Sequence, residues 1–175
     1  DVSNVTNMSN MFYGCINFNT SLTSWNVSKV TNMSGMFFGC SRFNKSLIGW
    51  NVSNVTNMNS MFYGCSMFNQ NIGSWNVSKV ADMTRMFYNN TILNQTFQIW
   101  KPSINVILDY MFTSAPLVYP TMVDGIARIT NGTPSYYYFT GKILISDTNF
   151  TNVLNYYFGS SIVNDFTTRQ LRQIG

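Results

Sequence analysis

At 175 residues and 45% hydrophobic, the chain can bury roughly two-thirds of its unfolded surface, which excludes a disordered class. Only 9% of it is charged, histidine and glutamate are absent, and Asp1, Asp82, Asp109, Asp124, Asp147 and Asp165 stand singly, a poor inventory for general acid/base catalysis. The net charge of +4 is spread over isolated Lys and Arg, which excludes a basic stripe for nucleic acid, and no apolar run approaches the roughly 20 residues of a membrane span.

The chain starts inside a pattern. Asp1 takes the position of Asn26, one residue after an expected Trp, so the expectation is a fragment of a longer protein or an open end covered by another chain. WNVSKVTNMSGMFFGC (Trp25 to Cys40) then returns as WNVSNVTNMNSMFYGC (Trp50 to Cys65) and WNVSKVADMTRMFYNN (Trp75 to Asn90). Trp25, Trp50, Trp75 and Trp100 stand 25 apart, as do Met11, Met36, Met61, Met86 and Met111, each of these followed by Phe. Self-similarity at such a period is the mark of stacked coils.

Within one unit, Leu47, Trp50 and Val52 around Gly49 and Asn51 read as a short strand with Trp and Val inward. Asn57 followed by Met58, Met61, Phe62 and Cys65 is an i, i+3, i+4, i+7 stripe, which predicts a short helix. Asn57 would cap it and Gly64 would take the left-handed position at its end; Asp82 and Asn89 are the next-best residues for those two roles. One strand and one helix per unit cannot close a core alone. The predicted fold is therefore an α/β solenoid, with about five coils over residues 1–118.

From Trp100 the pattern decays: Pro102 replaces the Val, Leu108 the Met and Ala115 the Cys. In the following insertion, Met122, Val123, Ile126 and Ile129 suggest a short helix ended by Asn131-Gly132, and SYYYF a strand. TNVLNYYFGSSIVN (Thr151 to Asn164) reads as a divergent last coil, with Lys142 to Ile145 as its strand. Residues 119–175 are expected to be an irregular C-terminal cap within the same domain.

The motif W-N-V-S-x-V-T-N-M-x-x-M-F-x-G-C-x-x-F-N-x-x-L resembles the BspA-like leucine-rich repeat surface proteins, in the variant built from 25-residue lipoprotein-associated repeats, over residues 1 to about 118. That resemblance implies a right-handed coil stack displayed at a cell or virion surface, extracellular, that binds a ligand.

Four groups of residues are candidates for function. The outward strand face, Thr23, Ser24, Asn26, Ile48, Gly49, Asn51, Gly73, Ser74, Asn76, Gln98 and Lys101, is small and uncharged apart from the lysine. It suits a glycan or a protein loop, and it reads equally as a solvated asparagine ladder. Tyr13, Phe38, Tyr63 and Tyr88 either flank the core or form an exposed aromatic ladder. Cys15, Cys40 and Cys65 fall at one position of successive coils, where a disulfide is conceivable; the small Asn90 and Ala115 at the equivalent position favour buried free thiols. Thirteen Asn-x-Ser/Thr sequons occur, and Asn131 and Asn149 are the candidate glycan acceptors outside the repeats. No cofactor or metal is expected. The expected partners are a protein or glycan ligand, or another copy docking on the uncapped first coil to build a filament or virion appendage.

Overall fold

The computed structural model describes residues 1–95, 97, 100–103 and 105–115, with the backbone of residues 129–130 and 133–134. All belong to the first of two compact units, Asp1–Gly141; the second is Lys142–Gly175.

The repeat is carried by a ladder between equivalent residues. Asn7, Asn32, Asn57, Asp82 and Ile107 are joined in succession by parallel bridges. From each bridge the pairing continues through every second amide. The N–H groups of Met8, Asn10, Phe12 and Gly14 donate to the carbonyls of Asn32, Ser34, Met36 and Phe38 at 2.9, 2.9, 2.9 and 2.7 Å. Met58, Ser60, Phe62 and Gly64 make the same bonds to Asp82, Thr84, Met86 and Tyr88. The remaining amides close turns within their own unit: Met61 donates to Met58, Tyr63 to Ser60 and Cys65 to Phe62, at 3.2, 3.1 and 3.1 Å. Every amide of the segment 58–65 except that of Asn59 thus has a backbone carbonyl, and Asn59 N–H donates to Asn57 Oδ1 at 2.8 Å.

This alternation is why the predicted helix does not form over 58–65. Ser60 (φ 54°) and Gly64 (φ 66°) are left-handed, which interrupts the i to i−4 bonding of a helix and frees alternate N–H groups for the next unit. The same two positions are left-handed in all five units, as Asn10 and Gly14, Gly35 and Gly39, Ser60 and Gly64, Arg85 and Asn89, and Tyr110 and Ser114. The expectation of a left-handed residue at Gly64 and at Asn89 is met. The expected cap at Asn57 is also present, as a side-chain oxygen that opens a run of turns instead of a helix.

The segment 47–52 differs from expectation as well. Trp50 N–H donates to Leu47 O at 3.0 Å, closing a turn with Ile48 and Gly49 at its tip, and the pairing between units lies at Asn57 instead. Inward residues are as the spacing predicts. Val55, Met58, Met61, Phe62, Cys65 and Phe68 are fully buried, as are their equivalents Val80, Met83, Met86 and Phe87. Stacking aligns these into columns: Phe12, Phe37, Phe62, Phe87 and Phe112 lie face to face at 5.5, 5.5, 5.6 and 5.5 Å between ring centroids. Each buried phenylalanine contributes about 1.5–3 kcal/mol by leaving water.

Beyond the units, Ile129–Thr130 (β1) and Thr133–Pro134 (β2) pair antiparallel, Ile129 opposite Pro134 and Thr130 opposite Thr133. Ile129, expected within a short helix ended by Asn131-Gly132, is in a strand. The two intervening residues are Asn-Gly, the strongest two-residue hairpin signal, which outweighs a weak helical stripe. The expected SYYYF strand, the strand Lys142 to Ile145 and the last coil Thr151 to Asn164 lie outside the described residues.

Candidate functional site

The described residues expected on one strand face sit at and just beyond the tips of four successive turns, closed by Trp25 N–H to Leu22 O, Trp50 N–H to Leu47 O, Trp75 N–H to Ile72 O and Trp100 N–H to Phe97 O. Thr23, Ser24, Asn26, Ile48, Gly49, Asn51, Ser74, Asn76 and Lys101 are exposed. Gly73 is buried and so is removed from that surface; its N–H donates to Asn71 Oδ1 at 3.0 Å. Gln98 lies outside the described residues, as do Asn131 and Asn149.

The three asparagines are not free-standing. Oδ1 of Asn26, Asn51 and Asn76 accepts the N–H of Ser28, Ser53 and Ser78 at 3.1, 3.2 and 3.1 Å. Each carboxamide is therefore held in one orientation with its oxygen engaged, and its NH2 has no partner among the described residues. Repetition turns this into a column of outward donors.

A second outward face is built by the ladder segments themselves. Tyr13, Phe38, Tyr63 and Tyr88 stack at 4.5, 4.4 and 4.8 Å, within 10° of parallel. Tyr13 is exposed and the other three are half-buried, so the solvated aromatic ladder and the core-flanking reading are both partly true. Between neighbours the ring faces are covered, so solvent meets the edges of Phe38 and Tyr63. Beside this column runs that of Asn10, Gly35, Ser60, Arg85 and Tyr110, and the Arg85 guanidinium lies 5.7 Å from the centre of the Tyr110 ring. Sequence reasoning passed over these residues. The signal was there in the repeat, as a ladder position where five units carry five different residue types.

Cys15, Cys40 and Cys65 are free thiols. Cys40 and Cys65 are buried as expected, and their Sγ atoms donate to Phe12 O and Phe37 O at 3.0 and 2.9 Å. Cys15 is exposed, against the expectation of burial. Desolvation, with the neighbouring Cys15 thiol second, pushes the Cys40 pKa up to about 11; desolvation, with Cys40 second, pushes that of Cys65 well above the ordinary range. Such thiols are poor nucleophiles. Among the described residues, no group of His, Cys or carboxylates could hold a metal ion, and no helix is long and apolar enough to cross a membrane.

Five stacked units with equivalent residues in register make this a repeat protein, defined by its 25-residue period. Residues 1–100 and 47–118 match the family described as "Mycoplasma protein of unknown function, DUF285", and the chain belongs to that family. No curated protein and no solved structure matches it.

Proposed function

We propose that this chain is a non-enzymatic recognition module: a leucine-rich-repeat-like solenoid of the BspA-like type, displayed at a cell or virion surface and binding a protein or glycan through the outward columns of its coils. The observation that supports this reading is the column of Asn26, Asn51 and Asn76. Their carboxamides are pre-oriented by their own turns, so a ligand bridging several coils meets donors that lose little freedom on binding. Extended faces of this kind are how stacked repeats bind. The absence of histidine and the isolation of each aspartate support recognition over catalysis.

The test is capture of surface glycans and surface proteins from defined panels. Replacing Asn26, Asn51 and Asn76 together by Ala should abolish capture. The triple Asp variant keeps each turn-closing oxygen, replaces each donor by a negatively charged acceptor, and should weaken capture by at least roughly tenfold per contacted position. Unchanged capture by both variants, with circular dichroism showing the wild-type fold, would refute this face.

A further inference from the structure

Beyond each tryptophan of the Asn26, Asn51 and Asn76 column lies a second turn, closed by Val30 N–H to Val27 O, Val55 N–H to Val52 O and Val80 N–H to Val77 O at 2.9, 2.9 and 3.0 Å. The valines are buried, so the turn tips are carried outward, and Lys29, Asn54 and Lys79 there are exposed. These tips are joined along the stack. Lys29 Nζ donates to Asn4 Oδ1 at 2.7 Å, Lys79 Nζ to Asn54 Oδ1 at 2.8 Å, and Asn54 Nδ2 to Ser28 O at 2.9 Å. Each ammonium thus bridges two coils and keeps two of its three N–H bonds for solvent or a ligand.

Taken together, the two neighbouring columns have one sense of hydrogen bonding and one sign of charge. Oδ1 of Asn4, Asn26, Asn51, Asn54 and Asn76 each accepts a bond from the protein itself, so the carboxamides and ammoniums offer a ligand donors. Of the six lysines and arginines among the described residues, Lys29, Lys79 and Lys101 stand here; of the three described aspartates only Asp1 does, on the first coil. No carboxylate pairs with these lysines among the described residues. Such a face is complementary to a ligand that is rich in acceptors and negatively charged.

We infer that this face docks a linear acidic glycan in which a charged sugar alternates with a neutral one. Lys29 and Lys79 stand two coils apart, about 10 Å along the stack at about 4.8 Å per coil, and the coil between them carries the uncharged Asn51 and Asn54. Cations and neutral donors therefore alternate, which matches an anionic group on every second sugar with hydroxyls and ring oxygens between. Nucleic acid fits poorly: a strand with one phosphate per about 3.4 Å would meet only three cations over five coils. A protein partner fits poorly as well. Lysine and serine are depleted at protein interfaces, whose energetic centres are built on Trp, Tyr and Arg, and the tryptophans beneath this face, Trp50, Trp75 and Trp100, are buried.

This assignment rests on the recognition reading above and has its own readout. A hyaluronan hexasaccharide, in which glucuronate alternates with N-acetylglucosamine, and its twin with the carboxylates reduced to alcohols would be titrated against the full chain by calorimetry at low and at high salt. The expected result is saturable binding of the acid that weakens with salt and is at least tenfold weaker for the reduced twin. Lys29→Gln with Lys79→Gln should lose at least tenfold, Lys29→Arg with Lys79→Arg should retain most of the binding, and Arg42→Gln with Lys45→Gln, outside these turns, should change nothing. No binding of the acid, equal binding of the twins, an unaffected Lys29→Gln, Lys79→Gln variant, or tighter binding of a poly-aspartate peptide or a single-stranded oligonucleotide overturns the proposal. A silent hexasaccharide beside asparagine-dependent capture sinks only the acidic assignment. Lysine-dependent binding that survives replacement of Asn26, Asn51 and Asn76 by Ala sinks only the asparagine column.

Discussion

The indole Nε1–H of Trp75 donates to the carbonyl of Leu47, 28 residues earlier, at 3.1 Å. Trp50 and Trp100 make the same bond to Leu22 and Ile72, both at 3.1 Å. Each tryptophan thus locks its own unit to the previous one in a buried place where an indole N–H needs an acceptor. Trp75→Phe keeps most of the apolar volume and loses that bond, and should cost about 1 kcal/mol. Trp75→Ala adds a cavity and should cost about 3–5 kcal/mol. Urea denaturation followed by circular dichroism separates the two; equal losses would mean that the bond contributes nothing.

Asn90 marks a fault in an otherwise regular column. It is fully buried at the position of Cys40 and Cys65, and neither its Nδ2 nor its Oδ1 has a hydrogen-bond partner. The cysteines answer the same problem with a thiol donated to the carbonyl of the preceding coil. Asn90→Cys should therefore stabilise the fold by about 1–3 kcal/mol, the desolvation penalty of an unpaired buried amide. A lower urea midpoint for that variant would show that the amide is satisfied in solution, for example by a buried water.

Gly64 takes φ 66° where the next unit has Asn89 at φ 56°. A Cβ at Gly64 would lie 3.7 Å from the Gly39 Cα, an ordinary contact, so the cost of a substitution there is conformational. Gly64→Ala should lose about 1–2 kcal/mol, and Gly64→Asn less than half of that because asparagine tolerates the left-handed region. Thermal unfolding of the pair measures the difference, and the reverse order would contradict the conformational account.

The buried thiols make a pH prediction with a definite sign. The pKa of Cys40 rises from 9.0 to about 11 in the folded chain, chiefly by desolvation, and that of Cys65 is raised well above the same starting value, also chiefly by desolvation. An unfolded chain therefore gives up these protons first as pH rises. Their contribution to stability is complete below pH 9, and that of Cys40 is lost between pH 9 and about pH 11. Urea midpoints at pH 8 and pH 10.5 should fall further in the wild type than in a Cys40→Ala, Cys65→Ala variant; parallel falls would assign the loss to other groups.

Exposure and burial of the same thiols predict their reactivity. In native protein a disulfide reagent should modify Cys15 at once and leave Cys40 and Cys65 intact until the chain unfolds, when all three react. Immediate release of more than one equivalent would indicate that the stack opens locally.

Much of the core was legible from spacing alone. Met58, Met61, Phe62 and Cys65 are inward whether the segment is a helix or a run of turns, because both bring i, i+3, i+4 and i+7 to one side. The same ambiguity hid the bonding pattern, since a stripe of apolar letters does not say which carbonyl each amide will meet. Asn26, Asn51 and Asn76 were recognisable as outward, and the engagement of their oxygens was not, because it depends on a turn two residues long. Arg85 and Tyr110 were visible only as drift. The left-handed backbone that they share with Gly35 was not legible in those letters.

The sequence by itself determined the 25-residue period, the inward columns and the left-handed places at Gly64 and Asn89, because each of these depends on residue type at a fixed spacing. Tertiary structure alone decided that alternate amides of each unit pair with the next one, which sets Trp75 on Leu47, aligns the aromatic rings and brings Arg85 over Tyr110. Those contacts join residues a full repeat apart. Only the stacking of one coil on another, driven by burial of the shared core, places their atoms within bonding distance.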